Sequence, residues 1–359
     1  MEFRSFDHTA ELAKQRALFE ECFPENIGTP VLSNEHYLWK FHQQNGSLLT
    51  SQEYAASQDG NLLGYYAAIP YTYRYKNKVL NAAMVCDVMT GVKARGKGVF
   101  TRLGIHSTDE MKSNNFDFTT GYPIREEVIP GHMKAGWEKR FELPLYGRFI
   151  QFNSFLRKKK LGIFSAPAKL VFNLYCLFKK TGKAKNKDSL NVNSYNSTET
   201  NIGELLNGFY NAWSEEIPIS LEKSETFVNW RLSAPEKEYK VLTLCKEGEI
   251  VGALIAREVV KEDVPCYGIL DLCLLEGFHE FAYLLIDELI SHAKQADIEL
   301  LLTMISPIWL DKYQLNKSAF LKTPFTFHFI TKHFNDQLST NEIYQAENWH
   351  LMWIDSDDL

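Results

Sequence analysis

The sequence lacks the features that would place it outside a cell, in a membrane or on a nucleic acid. Its six cysteines (Cys22, Cys86, Cys176, Cys245, Cys266 and Cys273) are scattered through 359 residues with no Cys-x-x-Cys pair, too sparse for a disulfide framework. Reduced thiols in a cytoplasm are therefore expected. Residues 1–7 hold no apolar core of signal-peptide length, and no run reaches the roughly 18 apolar residues of a spanning helix. Positive charge is not in excess: 39 Lys and Arg against 45 Asp and Glu leave a formal net charge of -6. Phosphates would select the opposite balance, so no nucleic-acid partner is expected. No Gly-x-Ser-x-Gly elbow marks a serine hydrolase. No His-Glu-x-x-His or cysteine pair points to zinc, and His328 and His333 sit at odd separation in one strand-like run, on opposite faces. No metal is expected.

What is present is ordinary soluble-protein composition, 45% hydrophobic and 23% charged, with an aromatic content of 13% that allows large cores or aromatic-lined clefts. The length suits two domains. Residues 2–6 alternate like a strand, and residues 9–22 have helical spacing at Leu12, Ala13, Arg16, Ala17 and Phe19. Asn34 is placed to cap a second helix carrying Tyr37, Leu38 and Trp39. Residues 53–58 and 62–75 read as strands joined at Asp59-Gly60-Asn61, a hairpin signal. Another strand covers residues 79–92, a helix follows from Val99 to Lys112, and residues 116–120 form a short strand. Residues 126–135 contain Pro130 and Gly131, which cost about 3 and about 1 kcal/mol inside a helix, so a kinked or late-starting helix is expected.

The same order returns in the second half. Trp39-Lys40 is echoed by Trp230-Arg231, Gly60-Asn61-Leu62-Leu63-Gly64 by Gly248-Glu249-Ile250-Val251-Gly252, Asp87 by Asp271, and Pro123 by Pro307. Offsets of roughly 180 to 190 residues mean duplication of a domain rather than a solenoid. The expected class is α+β, with one domain over residues 1–150 and a related one over 202–359. Residues 151–201 connect them: Arg157-Lys158-Lys159-Lys160, an apolar stretch over 161–178, five further lysines, then an Asn/Ser/Thr-rich linker. The apolar stretch contains Pro167 and Lys169, so it does not span a bilayer. It reads as a helix packed across the domain junction, with interfacial contact to anionic lipid through 157–187 as the lesser alternative.

The chemistry centres on the strand–loop–helix at residues 79–112. Consecutive backbone N–H groups converge at a helix N-terminus, where the helix dipole also favours an anion. Glycine lets that backbone approach phosphate oxygens closely. The loop is Lys93-Ala94-Arg95-Gly96-Lys97-Gly98, opening the helix at Val99-Phe100-Thr101-Arg102-Leu103, with Lys93, Arg95 and Lys97 adding positive charge. It is neither a P-loop nor a Rossmann fingerprint, which has a third glycine.

This stretch, from Cys86-Asp87-Val88-Met89-Thr90-Gly91-Val92 to Leu103, resembles the GNAT superfamily of acetyl-CoA-dependent N-acetyltransferases, whose loop follows Gln/Arg-x-x-Gly-x-Gly/Ala. Gly96 and Gly98 match, and Lys93 keeps the charge of the first position without its planar fork. The resemblance covers residues 1–150, and 200–359 only by order of elements. It implies two GNAT-like domains, each a mixed, mostly antiparallel sheet flanked by helices. It implies acetyl-CoA as co-substrate: pantetheine and thioester along the backbone of Cys86, Asp87 and Val88, and pyrophosphate on the N–H groups from Ala94 through Val99. Members often present Asn after a Pro; here Ile124 follows Pro123. A Tyr that protonates the departing thiolate commonly lies four residues before a Gly-aromatic pair; Gly136-Trp137 is the pair and His132 stands in the Tyr position.

An amine attacking a thioester needs a base for its proton and N–H donors for the oxyanion, while a thiol leaving group near pKa 8.5 needs only a mild acid. His132 is the candidate acid or base, and Asp87, an acid inside an apolar strand, is a candidate base. A structural histidine and a structural aspartate are the plainer alternatives. Glu126 and Glu127 are placed to meet an ammonium substrate. In the second half the corresponding loop, Glu276-Gly277-Phe278-His279-Glu280, has one glycine and two acids, which would repel a pyrophosphate. That domain is expected to have lost coenzyme binding and to shape the acceptor cleft. Trp349 and Trp353 read as core, ahead of an acidic tail at Asp355, Asp357 and Asp358. The leading function is acetyl transfer to a primary amine of a small molecule, amino sugar or peptide. A non-catalytic acyl-CoA-binding or assembly protein comes second, and aminoacyl transfer from charged tRNA third.

Overall fold

Hairpin geometry sets the first sheet. The computed structural model describes residues 1–76, 78–151, 189–335, 338 and 343–357. After β1 (Glu2–Ser5), β2 (Gln52–Gln58) and β3 (Asn61–Tyr75) are joined by Asp59 and Gly60 alone. Both residues have positive φ, 51° and 75°, as a type I′ turn requires. Strand β4 (Lys78–Thr90) completes the meander, and β5 (Phe118–Gly121) lies parallel to it. Helix α1 (His8–Cys22) starts where the Asp7 carboxylate accepts from the N–H groups of Thr9 and Ala10. Helix α2 (Asn34–His42) is capped by Ser33, whose hydroxyl accepts from His36 N–H, so Asn34 is its first residue and not its cap. Helix α3 (Val99–Ser113) follows the glycine loop, as its spacing predicts. Residues 126–128 form a 3-10 turn that leads into α4 (Ile129–Lys134), where Pro130 sits in the first turn, a position that tolerates its missing N–H.

The second half builds α5 (Ile202–Glu215), α6 (Glu225–Leu232), α7 (Ala282–Gln295) and α8 (Pro307–Lys312) around strands β7 (Leu190–Asn196) to β13. Strands β9 (Tyr239–Lys246), β10 (Glu249–Lys261) and β11 (Val264–Leu274) form a meander, and β12 (Leu300–Met304) lies parallel to β11 with α7 between them. This repeats β2, β3, β4, α3 and β5 step for step, including a two-residue turn at Glu247 and Gly248 with φ of 52° and 92°.

The two runs share one sheet, in which β1-β2-β3-β4-β5-β13-β6-β12-β11-β10-β9-β7 is the order and the short β8 (Ile219–Leu221) pairs with β3. The last strands are exchanged. Strand β6 (Glu138–Phe149) pairs with β12 of the second run, while β13 (Leu321–His333) pairs with β5 of the first and with β6 itself. The sheet therefore runs on past residue 150, where the sequence suggested a boundary. The architecture is a mixed, mostly antiparallel sheet flanked by helices, as the sequence indicates.

Side chains alternate across the strands, so β3 feeds two cores. Tyr66 and Ala68 pack with Val99, Leu103 and Met111 of α3, whereas Tyr65, Ala67 and Ile69 join Leu18 and Phe19 of α1. The Trp39 and Trp230 echo is a physical contact. Each indole N–H donates to the other residue's carbonyl, at 2.8 and 2.9 Å, and the rings stack at 5.3 Å. Both polar groups are thereby satisfied inside the core, with a stacked pair contributing about 0.5–1.5 kcal/mol beyond its buried area. Trp349 and Trp353 are also core residues, each 1% exposed.

Among the described residues no helix is long and apolar enough to cross a membrane, and the five described cysteines are free thiols. The basic stretch 157–187, with its possible lipid contact, lies outside the described residues.

Candidate active site

A local fault in the sheet opens the cleft. Between the pairs Tyr65–Met89 and Ala67–Cys86, β4 carries one residue more than β3. Asp87 at this bulge adopts φ 48°, a left-handed conformation that Asp tolerates better than most residues. A bulge disrupts the ladder and bends its strand; pairing with β3 resumes at Met89 and Thr90, whereas the ladder to β5 ends at Met84, before the bulge and the loop to α3.

Gly91 leads into a single 3-10 turn, Val92–Ala94, then Gly96 and Gly98 with φ of 74° and 72°. A side chain at either glycine would meet no backbone atom within 4 Å, so backbone conformation, not crowding, demands glycine there. The N–H groups of Ala94, Arg95 and Lys97 donate within the turn, to Gly91, Val92 and Ala94. Within residues 94–99, Gly96, Gly98 and Val99 are the loop amides outside these turn bonds. Gly98, as N-cap, offers α3 no side-chain oxygen, which leaves the first-turn donors for a ligand.

Bulge, loop and α3 line one cleft of about 780 Å³. Of the residues singled out in the sequence, Cys86, Asp87, Val88, Ala94, Arg95, Gly96, Gly98, Val99, Glu127 and His132 line it, while Lys93, Lys97 and Glu126 do not. The cleft is of the size that holds a cofactor-like ligand. It lies beside a strand that opens onto a glycine loop and a helix N-terminus.

Residues 4–139 match the family model of the acetyltransferase (GNAT) domain. Two solved structures share the wider fold. One is a GCN5-related N-acetyltransferase from Anabaena variabilis, with a TM-score of 0.64 at 13% identity, covering 93% of this chain and 73% of that one. The other, from Enterococcus faecalis, is described as a conserved protein of unknown function and probable N-acyltransferase. It gives 0.63 at 11% identity, covering 93% and 72%. At these identities the likeness is one of fold. No curated protein matches the chain in sequence.

The wall of the cleft rests on groups that sequence alone did not bring together. Lys40, near the end of α2, places its Nζ 2.8 Å from Asp87 Oδ1 and 2.8 Å from Oδ2 of Asp357, far away in sequence. The Lys40 side chain is 8% exposed, and those of Asp87 and Asp357 are 11% and 29%. Burial alone would lower the Lys40 pKa; the Asp357 and Asp87 carboxylates outweigh it and hold the ammonium well above its usual value. Asp87 is thus an ion-paired carboxylate and not an isolated acid in an apolar strand. The Cys86 thiol, pushed up by burial, is held protonated and is no nucleophile.

His132 is 7% exposed, edge-on to Phe100 and Trp137 at 5.0 and 5.2 Å. Burial lowers its pKa to about 4, so at neutral pH the ring is uncharged and carries no imidazolium proton to give. Tyr122, in contrast, lines the cleft and is held protonated, raised first by burial and then by Tyr73, whose hydroxyl lies 3.5 Å away. Its position at the end of β5, just before Pro123, was the signal in the sequence.

The corresponding place in the second half is filled by the chain itself. Strand β11 carries a bulge at the same step, between the pairs made by Ile255 and Ala256. Its Leu272 N–H donates to Met352 Sδ at 3.1 Å, and His350 Nε2 lies 3.1 Å from its carbonyl. In the following loop, the Glu276 N–H donates to the Glu216 carboxylate at 2.7 Å. Asp271 meets Lys223 at 2.8 Å with both side chains 1% exposed, and Tyr210 donates to the same carboxylate at 2.7 Å.

Proposed function

We propose that this chain is an acetyl-CoA-dependent N-acetyltransferase acting on a primary amine, built from two GNAT-like units of which the second no longer takes coenzyme. The observation that carries this reading is the continuity of the bulged β4, the Gly96–Gly98 loop and the uncapped start of α3 around one cleft. When bound, the coenzyme supplies an acetyl thioester to the amine. The amides of Gly96, Gly98 and Val99 hold its diphosphate, with the α3 dipole and the Arg95 guanidinium adding positive potential. The backbone of Cys86, Asp87 and Val88, at the β4 bulge and beyond the last β4–β5 pair, orients the pantetheine arm.

Lys40 anchors Asp87 and Asp357 so that a carboxylate oxygen can accept the ammonium proton of the acceptor. Glu127 at the rim steers that cation in. The neutral His132 ring positions the reacting group through a hydrogen bond, and the protonated Tyr122 hydroxyl is the O–H donor within the cleft. In the second unit, the Glu216 carboxylate occupies a loop amide that a phosphate would need, and His350 and Met352 cover the strand backbone. Like charge and steric filling together exclude a second coenzyme.

A binding or assembly protein without turnover is the second reading, favoured by the uncharged His132 and by Ile124 after Pro123. Acetyl-CoA consumption measured across a panel of primary amines separates the two. Turnover with at least one amine supports the enzyme. Thermal stabilisation by acetyl-CoA with no turnover on any of them assigns the chain to the second reading.

A further inference from the structure

A second cleft, of about 620 Å³, lies away from the GNAT site and is lined in part by His8, His42 and Glu53. These residues come from three elements: the first residue of α1, the last of α2, and the second of β2. One donor atom from each lies within 4.8 Å of the other two. His42 Nε2 is 3.1 Å from Glu53 Oε1, and the two imidazoles face each other with centroids 3.9 Å apart.

The surroundings are those of a prepared ligand set. Tyr37 and Tyr65 both donate their hydroxyls to Glu53 Oε2, which fixes the carboxylate and turns Oε1 toward His42. Outer hydrogen bonds of this kind orient carboxylate ligands in metal sites. The Glu53 side chain is 7% exposed and that of His42 28%, so the donors stand at the mouth of the cleft with a path for an ion.

We propose that His8, His42 and Glu53 form a binding site for a divalent transition metal, with Zn²⁺ the best-fitting ion. Two imidazoles and one carboxylate are the three protein ligands of open tetrahedral zinc sites, with the fourth position left to water or a ligand in the cleft. Bonds of about 2.1 Å require donors about 3.4 Å apart; His42 and Glu53 already stand at 3.1 Å, and the His8 donor lies within 4.8 Å of both. Calcium and magnesium would demand more oxygen donors than the cluster has. The three ligands follow no short motif, which is why they do not stand out along the chain. A bound ion would tie the end of α2, two residues beyond Lys40, to β2 and the start of α1.

The test is calorimetric titration of the chelator-treated full-length protein with Zn²⁺ alone. One equivalent binds to the wild type, and His8→Ala and His42→Ala each remove it while the circular dichroism spectrum stays unchanged. Tyr37→Phe, which keeps all three ligands and loses the hydroxyl that meets Glu53 Oε2 and His42 Nε2, weakens binding by about 10- to 100-fold. Co²⁺ as a probe gives a tetrahedral spectrum without thiolate charge transfer. Absence of Zn²⁺ binding to the wild type, wild-type affinity in either histidine variant, or a thiolate band that moves the ion to a cysteine would each overturn the site.

Discussion

The two halves follow the same path and treat the same cleft in opposite ways. Both have a bulged strand running into a loop and a crossover helix. In the first, the strand backbone around Asp87 and Val88 borders open space. In the second, the segment after β13 lays His350 and Met352 over Leu272, and Glu216 takes a loop amide. Each half pairs its strand aspartate with a lysine, drawn from different positions: Lys40, whose echo is Arg231, meets Asp87 at the cleft and is shared with Asp357, while Lys223, ahead of α6, meets Asp271 in a sealed pair. One scaffold yields a cleft bordered by the loop amides of Gly96, Gly98 and Val99 and a core where the N–H groups of Leu272 and Glu276 are covered by side chains. The same C-terminal segment serves both ends, filling one half and delivering Asp357 to the other.

The sharpest way to break this comparison is to remove the lysine from each pair. Lys223→Met leaves Asp271 buried without its counter-charge, a change that typically costs about 3–5 kcal/mol. Lys40→Met leaves carboxylates that water reaches, so denaturant unfolding should show a markedly smaller loss, with the greater effect on turnover. Equal destabilisation by the two would mean that the pairs are alike and the first is merely structural.

Acid should act next in size. Burial, first of all causes, lowers His36 to about 2, His132 to about 4 and His350 to about 3. Groups with depressed folded values bind protons first in the unfolded chain, so stability is lost as pH falls below the ordinary histidine value of about 6.5. Asp355 works in the other sense: burial raises it to about 7, so its contribution is lost as pH rises from about 4 toward 7. Three histidines outweigh one aspartate, and melting temperature should fall between pH 6.5 and 4.5. A flat profile across that range would contradict the buried, neutral state of these rings. The smallest effect is expected at His132→Ala, with turnover lower by about tenfold, or ~1.4 kcal/mol, at unchanged coenzyme affinity. Unaltered turnover would take His132 out of the reaction.

The sequence made the first cleft legible because its determinants are local. Gly96 and Gly98 must sit where the backbone turns left-handed, and the apolar spacing of Val99, Leu103 and Met111 declares α3. The acids in Glu276 to Glu280 likewise marked the second loop as different. Contacts distant along the chain could not be read. Nothing near Lys40 announces Asp357, and the exchange of β6 and β13 depends on register between strands far apart. Asp87 was visible as an acid in a strand, but its bulge and its lysine partner were not. His132 was found by position, while its burial, which decides its charge, depends on Phe100 and Trp137 packing around it.

Calorimetric titration of acetyl-CoA into the wild type, Gly98→Glu and Gly277→Glu tests the central claim most directly. A carboxylate at Gly98 forces an L side chain into a left-handed conformation and meets the diphosphate with like charge, worth ~4 kcal/mol at close range near a surface. The account predicts one site in the wild type, about 1000-fold weaker binding in Gly98→Glu, and wild-type affinity in Gly277→Glu. No binding to the wild type, or equal binding by all three proteins, would contradict it.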